Sequence, residues 1–96
     1  MVRHIVCFKL KDNSTSAKEE AKKILLSMKG KVPILKNIEV GCDYLNSERS
    51  YDVVLITDFA TKKDVEDYQN DEYHCGVVKP YMHEHRSASV AIDYEF

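Results

Sequence analysis

Residues 2 to 10 alternate in character, with Val2, His4, Val6, Phe8 and Leu10 falling on one face and Arg3, Ile5, Cys7 and Lys9 on the other. A period of two is that of an extended chain, so this segment predicts a strand. The polar run KDNSTS supplies several candidate N-caps, and the period then lengthens. Ala17, Ala21, Ile24, Leu25 and Met28 recur at helical spacing, while Lys18, Glu19, Glu20, Lys22 and Lys23 form a charged, solvated face. Gly30 closes this helix, and Pro33 prevents its continuation.

Alternation returns at Ile38, Val40, Cys42 and Tyr44, which predicts a second strand from Asn37 to Leu45, followed by a turn at NSERS. Tyr51 to Phe59 predicts a third strand, and its centre, VVLI, is apolar on both faces. Thr61 to Asp64 has the form of a capping box and opens a short helix with Val65 and Tyr68 on one side. Asn70 and Asp71 break that helix and cap a second piece. There His74, Val77, Val78 and Tyr81 stand at i, i+3, i+4 and i+7, and Pro80 is expected to kink or end the helix. A last strand runs from Arg86 to Phe96 with Ala88, Val90, Ile92, Tyr94 and Phe96 on one face.

The order is therefore β-α-β-β-α-β, the α+β ferredoxin-like arrangement of a four-stranded antiparallel sheet with helices on one face. The strands carry more apolar surface than two helices can cover. Ile5 and Cys7 oppose Val6 and Phe8, and Val54 and Ile56 oppose Val53 and Leu55. No segment remains to cover the second face, so the expected cover is another copy of the same sheet, giving a homodimer.

Composition narrows the functional classes. Ninety-six residues make one domain. With 14 basic and 16 acidic residues interspersed, no basic stripe exists, which argues against a nucleic-acid partner. No stretch is long and apolar enough to span a bilayer, the N-terminus lacks the apolar run of a signal peptide, and the three cysteines form no CxxC unit. A cytoplasmic chain with free thiols and no membrane partner is the expectation. No phosphate-binding glycine loop is present, and no cofactor is expected.

MVRHIVCFKLKD at the start, IEVG in the second strand, YDVVLITDF in the third, DYQNDEYH after it and SVAIDYE at the end resemble the stress-responsive A/B barrel domain (Dabb) family, in the right order over nearly the whole chain. The resemblance implies a ferredoxin-like protomer whose sheets pair face to face in a dimeric α/β barrel. Most members have no assigned activity, and a plant branch contains polyketide cyclases such as olivetolic acid cyclase. Carried over by position, the cyclase pattern implies a catalytic pair at Tyr68 and His74, with a further pocket histidine at His4. The chain departs from that pattern in two places: NDEYH lacks the usual proline before the histidine, and Val53 stands where the cyclase has a strand histidine.

The implied pair suits acid–base work on a carbonyl compound. An imidazole can remove a proton α to the carbonyl, and a phenol can donate to the enolate oxygen. Two short helical pieces, broken at Asn70 and Asp71, can aim both residues into one cavity. The expected pocket lies between helices and sheet, lined by His4, Val6, Phe8, Leu55, Tyr68, His74 and Val78. Its bland alternatives are a ligand pocket without turnover and a plain core edge with a satisfied histidine. A His83-x-His85 pair, set in an extended connection with His74 near, offers a metal site only on a weak motif, and none is assigned. Cys75 beside His74 does not make a thiol catalyst, because helix neighbours point about 100° apart. Cys7 and Cys42 read as small core residues.

Overall fold

The computed structural model describes residues 1–96. Strand β1 (Val2–Leu10) leads through a polar turn into helix α1 (Thr15–Leu26), where the Ser14 hydroxyl accepts the Ala17 N–H at 3.2 Å as the N-cap. The helix ends at Leu26, earlier than Gly30 suggested, and Gly30 takes the left-handed turn at φ 82° that brings the chain back to the sheet. Strand β2 (Asn37–Cys42) and strand β3 (Val53–Phe59) are each shorter than their alternation predicted. The chain leaves β2 at Asp43, whose N–H still reaches the Asp52 carbonyl, and turns through Asn46 at φ 54°. Helix α2 (Lys62–Gln69) follows, capped by Thr61, whose hydroxyl accepts the Asp64 N–H at 3.1 Å. A turn of π-helix (His74–Val78) passes without interruption into helix α3 (Lys79–His85), and strand β4 (Arg86–Glu95) ends the chain.

Every strand pair is antiparallel, in the order β2-β3-β1-β4. This is the ferredoxin-like βαββαβ fold that the residue pattern predicts. The even positions of β1 face the helices together with Val53, Leu55, Thr57 and Phe59. Leu25, Met28 and Val32 from the α1 side and Tyr68, Val78 and Met82 from the later helices complete that core. Burying each of these larger apolar side chains contributes about 1.5–3 kcal/mol.

Two expectations about the last helical stretch are corrected. Pro80 does not end the helix. The π-turn before it sends the Lys79 N–H to the His74 carbonyl, five residues back, and this widened turn lets a proline without an N–H sit at the start of α3. Residues 83–85 are consequently helical and not an extended connection, so His83 and His85 point to different sides. His85 stacks on Tyr81 at 4.2 Å.

The opposite sheet face carries rows that run across three strands. Ile56, Ile5 and Ile92 are in register, as are Val54, Cys7 and Val90. No helix covers them, and Val90 and Ile92 are 51% and 60% exposed.

Candidate functional site

On the helix side of the sheet, the in-register row Leu55–Val6–Ala91 lies beside Val53–Phe8–Ser89. Of these, Leu55, Val6, Ala91, Phe8 and Ser89 floor a cavity of about 250 Å³ that is roofed by the helices after Thr61. That is at the small end of ligand cavities, which run to roughly 300–1,000 Å³. His4, Val6, Phe8, Leu55, Tyr68, His74 and Val78 all line it. The period-two face of β1 and the i, i+4 stripe of the later helices thus converge on one space.

The ring system of the site is built around Tyr68. The side chain is 1% exposed, its ring stacks on His74 (4.0 Å between centroids, 14° between planes), and His4 meets its edge at 6.1 Å. Its hydroxyl donates to Met28 Sδ at 3.5 Å, a thioether and so a weak acceptor. Burial, reinforced by the charge of Asp71, pushes the phenol well above its ordinary range and keeps it protonated.

His74 is placed by the break in the helix. Asn70 caps the end of α2, and the Asp71 carboxylate accepts the His74 backbone N–H at 3.0 Å, starting the next helical piece. The ring Nδ1 lies 3.0 Å from the Tyr68 carbonyl, which can only accept. Nδ1 therefore carries the proton and Nε2 carries the lone pair. No protein group bonds Nε2, and no fully buried polar side-chain atom lacks a partner, so Nε2 is reachable from outside the packed core. Removal from water lowers the affinity of His74 for a second proton. The Tyr68 carbonyl opposes that shift, and the cationic Lys79 adds to it. The side chain is a neutral imidazole with one free basic nitrogen in a mostly apolar wall.

His4 has a partner that the residue pattern did not reveal. Its Nδ1 hydrogen-bonds the carboxylate of Asp93, directly opposite it on β4. His4 and Gln69 also border a second cavity of about 360 Å³, lined by Val2, Lys62, Val65, Asp93, Tyr94 and Glu95. The remaining lining of the first cavity (Leu25, Gln69, Lys79, Met82, His83, Arg86, Ser89 and Ala91) was not anticipated either. Most of it comes from α1, α3 and β4, whose approach to β1 depends on tertiary register. No group of three metal-ligating side chains assembles anywhere in the chain, and the three thiols lie apart as free cysteines.

A ferredoxin-like protomer with a small, mostly apolar cavity between helices and sheet, and an apolar sheet face on its other side, defines a class of α/β-barrel proteins. Within it, the model of the stress responsive A/B barrel domain, Dabb, matches residues 2–96, and the chain belongs to that family. Among solved structures, a dimeric protein of unknown function from Bacteroides fragilis shares the fold with a TM-score of 0.80 at 26% identity, over 99% of this chain and 95% of its own. A dimeric ferredoxin-like protein of unknown function from Thermobifida fusca superposes with a TM-score of 0.83 at 23% identity, over 99% and 90% of the two chains. The hydroxynitrile lyase of Passiflora edulis shares the fold at 14% identity, with a TM-score of 0.80 over 97% and 90%. No curated protein matches the chain. No helix is long and apolar enough to cross a membrane.

Proposed function

We propose that this Dabb protein is a homodimer that binds one small hydrophobic molecule in the cavity of each protomer. The observation that carries the reading is the pairing of an apolar cavity floor with a free basic nitrogen in its wall, His74 Nε2, whose tautomer the Tyr68 carbonyl fixes. Dimerisation is supported by the uncovered rows Ile56–Ile5–Ile92 and Val54–Cys7–Val90 and by the dimeric relative from Bacteroides fragilis.

The neutral, tautomer-fixed His74 favours a second reading, cofactor-free cyclase or isomerase chemistry on a small polyketide-like carbonyl compound. Nε2 would take the α-proton. Tyr68 would hold the imidazole by stacking, and its hydroxyl, released from the weak Met28 acceptor, would donate to the enolate oxygen.

One experiment separates the two. Phenylacetaldehyde is added to the protein in water while amide shifts are followed, and in deuterated buffer while its α-proton exchange is followed. Binding predicts shifts at Val6, His74 and Val78 that Val78→Trp, which fills the cavity, abolishes. Catalysis further predicts faster exchange, reduced at least tenfold in His74→Ala and in Tyr68→Phe. Shifts without exchange leave a binding protein; no shifts at those residues overturn both readings.

A further inference from the structure

One in six residues of the chain is acidic, yet no Asp or Glu is among the fifteen residues that line the His74 cavity. Its polar lining is cationic or neutral: Lys79 and Arg86 join Gln69, Ser89 and three histidines. The cations there are not engaged by carboxylates. Arg86 makes no side-chain hydrogen bond or ion pair, and Lys79 donates only to the Gln69 carbonyl at 2.9 Å, leaving two of its protons free. Three cations elsewhere are paired, Arg3 with Asp58, Lys62 with Glu95 and Lys63 with Asp67. Asp93 and Glu95 border the adjoining cavity instead.

An apolar floor with unpaired cations at its edge is complementary to one kind of molecule. An apolar body buries against Val6, Phe8, Leu55 and Val78, while an anionic head meets positive charge without giving up burial. A guanidinium fork matches a planar carboxylate through two parallel hydrogen bonds, and an ammonium supplies a point charge beside it. We infer that the ligand of this cavity is an amphipathic monocarboxylate of medium chain length, its carboxylate held by Arg86 and Lys79. This assignment rests on the ligand-binding reading above and names the class of molecule.

Three probes of one shape and different charge test it: octanoate, octanol and octylammonium, titrated calorimetrically into the dimeric protein at low and at moderate salt. Octanoate should bind at least tenfold tighter than octanol, octylammonium weaker than either, and added salt should erode only the octanoate advantage. Arg86→Gln and Lys79→Gln should each cut octanoate affinity about fivefold or more and leave octanol unchanged, with circular dichroism confirming the fold. Equal affinity for octanoate and octanol, or an octanoate preference that survives both substitutions, overturns the carboxylate assignment while the hydrophobic pocket stands. Binding of none of the three overturns the pocket and the assignment together.

Discussion

At His74 a single geometric fact decides the chemistry: the acceptor at Nδ1 is a carbonyl, so the proton is on Nδ1 and the basic nitrogen is Nε2. Desolvation also holds the folded-state pKa below that of a free imidazole, about 6.5. The unfolded chain therefore takes up the proton first as the pH falls. The contribution of neutral His74 to stability is complete above pH ~6.5 and is lost as the pH drops from there through the lower folded value. Urea unfolding of wild type and His74→Gln between pH 8 and 5 should show a stability difference that is flat above pH ~6.5 and declines below it; a difference independent of pH would contradict the desolvated placement. Tyr68, His74 and His4 were singled out by the family resemblance, and the periodic pattern only placed each on the face that lines the cavity. The Asp93 carboxylate on His4 was not, since the pair exists only once β4 is in register with β1, 89 positions away in sequence. For the same reason Arg86 and Lys79 were not singled out.

Among the elements, the helical stretch ending at His85 departs most from what its residues suggested. Proline in a helix ordinarily removes a hydrogen bond and collides with the carbonyl four residues back, here that of Gly76. The π-turn from His74 to Val78 takes up that conflict and keeps His74, Val78 and Met82 on the buried side. No periodicity argument announces an extra residue in a turn, which is why His83 and His85 read as extended. Gly76 is exposed in this turn, and a Cβ placed on it would meet nothing within 4 Å. Gly76→Ala should therefore stabilise the protein by about 0.5–1 kcal/mol, through helix propensity and a less flexible unfolded chain, read as a raised denaturation midpoint at unchanged slope. A loss of stability would mean that the π-turn itself needs glycine. The breaks at Asn70 and Asp71, by contrast, were legible, because cap chemistry is local: Asp71 accepts the His74 N–H three residues on.

For the molecule as a whole, the two faces of the sheet divide the work. The apolar rows centred on Ile5 have no cover within the protomer, and Arg3 and Asp58 beside them are already paired. Arg3 donates to Asp58 at 2.7 Å, and this bond holds the Asp58 carboxyl below the usual carboxylate range. In the proposed dimer a lysine placed in those rows would be buried without a partner, at a cost of several kcal/mol. Val90→Lys should thus sediment as a monomer at micromolar concentrations where wild type sediments at twice the chain mass; a wild-type monomer would leave the apolar rows without a purpose. This much was legible, because strands apolar on both faces demand two layers. The helix-side face of β4 was harder to read. Ser89 and Ala91 remain exposed although they border the cavity, since the helices pack over β2, β3 and β1 rather than over the edge strand. An unroofed edge has a kinetic meaning. On the ligand-binding reading proposed above, a guest would slide in and out along β4 with no hinge to swing and no lid to lift. Residence time is then set by the grip of the cavity itself, and any turnover is paced by chemistry rather than by the opening of a door.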